Sequence, residues 1–194
     1  MKRDIILAGV GGQGIISMAA IIGYAALQEG LYLKQSEVHG MSQRGGDVSS
    51  NLRISDKEIA SDLIPFGKAD CIISIEPLES LRYLPYLSPD GWIITNTKPY
   101  INIPNYPEID KILEAIHAQP HQIALDAETI AKEAGTARAA NTVILGAASP
   151  FLEMAYDKLE NAIRYIFRNK GEKLIMTNLS ALKAGREFAE KHMS

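Results

Sequence analysis

Three stretches of the chain are almost uninterruptedly apolar: DIILAG (Asp4 to Gly9), ADCIISIEP (Ala69 to Pro77) and GWIITN (Gly91 to Asn96). Short runs of this kind, bounded by turn residues, predict strands buried on both faces. LYLKQSEV (Leu31 to Val38) and QIALDA (Gln122 to Ala127) predict two more strands. VSSNLRIS (Val48 to Ser55) alternates polar with apolar, which predicts a half-buried strand at the edge of a sheet. Helical patterns fall between the strands. One runs from Ile15 to Gln28 and stops at Gly30. Pro77 opens another through Leu84, and IDKILEAIH (Ile109 to His117) makes a third. Asp126 stands as the cap of AETIAKEAG (Ala127 to Gly135). TKPYINIPNYPEI, rich in proline and asparagine, is a long connection. From Asn141 onward the pattern is helical in three pieces, with Lys170-Gly171 as a break.

Strands alternating with helices predict an α/β fold. The expected form is Rossmann-like: a mostly parallel sheet flanked by helices, with a helical C-terminal segment, as one domain over residues 1–194. Composition narrows the function classes. A formal charge of -3 argues against a nucleic-acid binder, which would carry a basic field. The apolar run at the N-terminus is short and broken by Asp4 and glycines, and no later run reaches membrane-spanning length. No membrane association is expected, and the single Cys71 suits a reducing cytoplasm. One cysteine also excludes a disulfide framework and an iron–sulfur cluster held by four thiolates of this chain. No His-x-x-Glu-His or Cys-x-x-Cys spacing points to a metal.

The first candidate site is GVGGQG, with Gly9, Gly11 and Gly14 at G-x-G-x-x-G spacing and Gly12 and Gln13 between them. It follows a predicted strand and opens a predicted helix, the context in which such a turn brings backbone N–H groups to an anion. Glu37 stands about where a dinucleotide enzyme places its ribose-binding acid. The same glycines also suit plain strand-to-helix packing. The second candidate is the loop between the predicted second and third strands, where His39, Ser42, Gln43 and Arg44 are bracketed by Gly40, Gly45 and Gly46. Arg44 offers a planar donor fork for phosphate or carboxylate. Gly45 and Gly46 can add N–H donors, and Ser42 and Gln43 add neutral ones. His39 and Ser42 lack a strand-to-helix elbow and an evident orienting carboxylate, so hydrolysis is not expected. An ordinary polar surface loop is the competing reading.

Taken together, ILAGVGGQGI, EVHGMSQRGGDVSSNLRIS and ANTVILGAAS (Ala140 to Ser149) resemble the gamma-type subunits of 2-oxoacid:ferredoxin oxidoreductases. The likeness covers essentially the whole chain. HGMSQRGG is its most specific part and resembles the indolepyruvate branch of that family. The resemblance implies a subunit that is inactive alone and completes the active-site region of a large alpha subunit. That partner carries thiamine diphosphate, Mg and iron–sulfur clusters, and the complex passes electrons to ferredoxin and makes an acyl-CoA from coenzyme A. On this reading Ser42, Gln43, Arg44, Gly45 and Gly46 face the partner, near thiamine diphosphate or the phosphates of coenzyme A, and Gly9, Gly11, Gly12, Gln13 and Gly14 help to form the same surface. The alternative is a stand-alone nicotinamide- or nucleotide-binding Rossmann oxidoreductase using the glycine turn and Glu37.

Overall fold

The structure is a computed structural model, and it describes residues 1–40, 46–101 and 103–193. The described residues form a six-stranded sheet of order β2-β3-β1-β4-β5-β6. The strands are β1 (Lys2–Val10), β2 (Tyr32–His39), β3 (Asp47–Ser55), β4 (Ala69–Ser74), β5 (Leu87–Asn96) and β6 (Gln122–Leu125). β1 pairs in parallel with β4, β4 with β5 and β5 with β6, while β3 runs antiparallel to both β1 and β2. Five strands therefore share one direction, and β3 alone opposes them.

β3 is not at the edge, as its alternation had suggested. It lies between β2 and β1, and β2 takes the edge. The misreading has a physical cause. One face of β3 carries Val48, Leu52 and Ile54 into the main core, while the other buries Ser49 and Ser55. Buried serines gave an interior strand the pattern of a half-solvated one.

The helices are α1 (Ile15–Gln28), α2 (Pro77–Arg82), α3 (Ile109–His117), α4 (Ala127–Glu133), α5 (Ala140–Ala148), α6 (Tyr156–Phe167) and α7 (Glu172–His192). α1, α4, α5, α6 and α7 enclose the large core on one face of the sheet. α2 lies on the opposite face, over a smaller cluster of Ile6, Ile64, Ala69 and Ile72, and α3 packs beside α2 and β6. The C-terminal helices complete the main core. α5 is buried between the sheet and α7, and the two helices touch backbone to backbone where Gly146 and Gly185 meet: a Cβ on either would fall on the partner's main chain. Thr142 donates to Asn178 Oδ1 (2.7 Å) across the same contact. Asp126 caps α4 as expected, accepting from Thr129 N at 3.0 Å.

The opposite, N-terminal edge of the strands is pinned by a buried pair. Arg53 Nε donates to Asp4 Oδ1 (2.7 Å), and its Nη1 holds the carbonyls of Ser61 and Leu63 at 3.0 Å. A concavity of about 630 Å³ lies there, but Arg53 is committed to the chain's own groups. Parallel sheets present ligands at the other edge, where β1 ends in the glycine turn.

Candidate functional site

The glycine turn is built from its own chain outward. Gln13 N donates to Val10 O (3.1 Å), closing a turn in which Gly12, at the third position, has φ +95°. A type II turn requires a left-handed residue there. The Gln13 side chain folds back, and its Oε1 accepts from Val10 N at 2.8 Å. Gly9 leaves room for that carbonyl, since a Cβ at Gly9 would lie 3.0 Å from both Gln13 Oε1 and Ile15 Cδ1. Gly14, the N-cap of α1, has φ +88°, and a Cβ there would sit 2.5 Å from Asn141 Nδ2. Asn141 is the second residue of the ANTVILGAAS stretch, so the fold brings the start of that stretch onto the turn.

The last residue of the loop, Gly46, reaches the same place. Gly11 N donates to Gly46 O (3.0 Å), and Gly40 N donates to Asp47 O (2.8 Å) at the loop's base. Gly46 thus touches the turn directly. Ser42, Gln43, Arg44 and Gly45 lie outside the described residues. Of the residues expected to bind, Gly9 is buried and Gln13 accepts its own strand's N–H, so both shape the turn. Gly11 and Gly12 are exposed.

A cleft of about 470 Å³ opens beside the turn, lined by Gly11, Gly12, Ile16, Ser17, His39 and Val48 among others. α1 points its N-terminus at it. The first intrahelical bond is Met18 N to Gly14 O (3.1 Å), with no side-chain cap and no acidic residue in the first turn. Free N–H groups and the positive end of the helix dipole suit an anion. On the other side of the turn a smaller cleft, about 270 Å³, is bordered by Gln13, Ile75, Glu128, Arg138 and Asn141.

Glu37 does not serve the turn as a ribose-binding acid would. β3 intervenes between β1 and β2, which moves Glu37 two strand spacings away, roughly 10 Å. Its carboxylate lies against His39 Nε2. His39 therefore has an orienting carboxylate after all, two residues before it on the same face of β2; the alternation of a strand was the available signal.

Sequence reasoning missed a buried polar cluster at the C-terminal ends of β4 and β5. Glu76 is almost wholly buried, yet it accepts from Glu79 N (2.9 Å), Tyr100 N (3.2 Å) and the Tyr106 hydroxyl. Burial and the Glu76 carboxylate push the Tyr106 hydroxyl well above the ordinary phenol range. Asn96 Nδ2 donates to Glu128 (3.2 Å), and its Oδ1 accepts from Ala127 N (3.2 Å). These bonds tie the 97–108 connection and the start of α4 to the strand ends. The signal in the sequence was a charged residue closing an apolar run, in SIEP. Among the described residues no group of three or more His, Cys, Asp or Glu converges to hold a metal ion, and no helix is long and apolar enough to cross a membrane.

Residues 4–188 match the pyruvate ferredoxin/flavodoxin oxidoreductase family. The chain belongs to that family. The indolepyruvate oxidoreductase subunit IorB of Archaeoglobus fulgidus is 38% identical over 194 residues, covering 95% of this chain and 94% of that protein. The ketoisovalerate oxidoreductase subunit VorA of Methanothermobacter marburgensis is 30% identical over 96% of this chain but only 36% of its own length. Among solved structures, a 2-oxoglutarate:ferredoxin oxidoreductase from Magnetococcus marinus superposes with a TM-score of 0.77 at 22% identity. The match takes in 98% of this chain and 31% of that one, and it bears on fold alone. The family member described here thus has the length of some relatives and about a third of others.

Proposed function

We propose that this chain is a subunit of a thiamine diphosphate-dependent 2-oxoacid:ferredoxin oxidoreductase, acting on indolepyruvate or a related aryl pyruvate and yielding an acyl-CoA. It works in the cytoplasm, is silent alone, and completes the active-site region of a larger partner. The carrying observation is the Gly11 N to Gly46 O bond, which seats Gly46, the last residue of SQRGG, on the glycine turn at the C-terminal edge of the sheet. Near-full-length likeness to indolepyruvate oxidoreductase subunits supports the choice of branch. The stand-alone dinucleotide reading loses its acid, because β3 separates Glu37 from the turn.

Thiamine diphosphate, Mg and the iron–sulfur clusters belong to the partner and supply decarboxylation and electron transfer to ferredoxin. This chain's part is to bind and position. Exposed Gly12 and the uncapped start of α1 offer a donor set that fits phosphate oxygens, while the Gly11 N–H is given to Gly46 O. By residue type, Arg44 with Ser42, Gln43 and Gly45 would supply further donors to coenzyme A or thiamine diphosphate.

Co-expression with the large subunit, then anaerobic reduction of ferredoxin or viologen with indolepyruvate and coenzyme A, tests the reading. Turnover should require both chains, and 2-oxoacid oxidation by this chain alone would sink it. In the complex, Arg44→Ala should weaken affinity for coenzyme A or thiamine diphosphate roughly 10–150-fold, the worth of a charge-assisted hydrogen bond of about 1.5–3 kcal/mol. Arg44→Lys should weaken it less. Loss of subunit association without loss of ligand affinity would make Arg44 an interface anchor instead.

A further inference from the structure

α1 is a surface helix without a charge. IISMAAIIGYAALQ has no Asp, Glu, Lys, Arg or His over its 14 residues. α5 is equally uncharged, but it is buried between the sheet and α7. α3, α6 and α7 all place charged side chains on their outer faces. α1 instead turns Ile16, Ala20 and Leu27 outward, with Ile16 59% and Leu27 60% exposed. Positions i, i+4 and i+11, with the half-buried Tyr24 at i+8, lie within one side of a helix. The stripe widens onto α6, where Tyr24 stacks on Tyr165 (centroids 4.2 Å apart) and the Arg168 guanidinium lies 4.1 Å over the Tyr165 ring. An apolar centre with aromatic and arginine neighbours has the composition of a protein interface.

We infer that this stripe, Ile16–Ala20–Tyr24–Leu27 with Tyr165, is where the thiamine diphosphate-bearing subunit docks. The inference rests on the reading under Proposed function and adds the surface. Two observations favour that occupant over a second copy of this chain. Ile16 also lines the cleft at the glycine turn, so a partner reaching the turn continues onto the stripe without a gap. In VorA the matching region is 36% of a longer chain, so in that relative this region is joined to additional, different polypeptide and not only to copies of itself.

The test uses Ala20→Glu and Leu27→Lys, which lie away from the glycine turn; lysine at position 27 also suits the negative end of the helix dipole. Met176→Lys, at an exposed apolar position of α7, is the control. Because these positions face solvent, each isolated variant should melt within a few degrees of the parent. Association with the separately purified large subunit should weaken at least about 30-fold for Leu27→Lys and Ala20→Glu, as for an interface hot spot, and less than about 3-fold for the control. If either variant fails to fold, Leu27→Ala replaces it, with roughly 5-fold weakening expected. Parent-like association of the stripe variants overturns the inference and leaves the proposed function standing. A dimer of the isolated chain that Leu27→Lys dissociates, with complex formation unchanged, overturns it in favour of a second copy. Failure of the parent chain to bind the large subunit overturns both readings.

Discussion

Replacing Gly14 by alanine separates the two reasons for a glycine at the start of α1. The first is backbone: at φ +88° and ψ 23° an L-residue pays for the left-handed conformation, about 1–2 kcal/mol. The second is space: the new Cβ would lie 2.5 Å from Asn141 Nδ2. That atom is the end of a side chain, so Asn141 can turn aside, giving up its contact with Thr142 Oγ1 (3.4 Å) and its rotamer at about 0.5–1.5 kcal/mol. Gly14→Ala should therefore cost roughly 2–3 kcal/mol. Gly12→Ala, at φ +95° with nothing within 4 Å of its Cβ, should cost only the backbone share, about 1–2 kcal/mol. Urea denaturation of Gly14→Ala, Asn141→Ala and the double variant closes a cycle. The coupling should be about 0.5–1.5 kcal/mol, with the double variant more stable than the sum of the singles implies. Additivity within about 0.3 kcal/mol, or a larger loss at Gly12 than at Gly14, would refute the contact between the turn and α5.

Gly11→Val should leave stability nearly unchanged, because the left-handed positions are Gly12 and Gly14, while its bulk narrows the cleft and lowers turnover of the complex; an equal fall in melting temperature and activity would argue for packing alone. Tyr106→Phe should cost about 1–3 kcal/mol by denaturant titration, since it removes a donor from the buried Glu76 carboxylate. Cys71 is fully enclosed and burial pushes its thiol up to about 12, so it should resist alkylation at pH 8 until denaturant is added, a contrast that mass spectrometry reads directly.

Where burial and periodicity agree, the elements were legible before any coordinates. α1 begins at Ile15 and ends at Gln28, and α7 runs from Glu172 to His192, because helix period, Gly30 and Gly171 mark their limits. β3 was misplaced for the opposite reason: its serines are polar yet buried, and only tertiary pairing reveals that. Glu76, Asn96 and Tyr106 were invisible as a group. Their hydrogen bonds join residues 21 to 31 positions apart, and no spacing rule announces such a network.

The glycine motif shows how a binding signature and a packing signature become the same sequence. Gly9 makes room for a side chain, Gly12 holds a turn and Gly14 admits Asn141, so three of its four glycines have reasons within the chain. A nucleotide is not needed to explain them. Gly11 remains: its N–H is given to Gly46, outside the helix and outside the sheet ladder. That bond serves the loop. Since β3 pushes β2 outward and its hairpin with β2 closes at Gly40 and Asp47, Gly40 and Gly46 lie at the sheet's C-terminal edge, with Gly46 against the turn that starts α1. The inserted strand thus removes the partner acid of a dinucleotide site and brings Gly46 onto the glycine turn by one and the same change of topology. The turn is therefore explained without an internal dinucleotide, and an edge left open to the outside is consistent with the partner subunit proposed above.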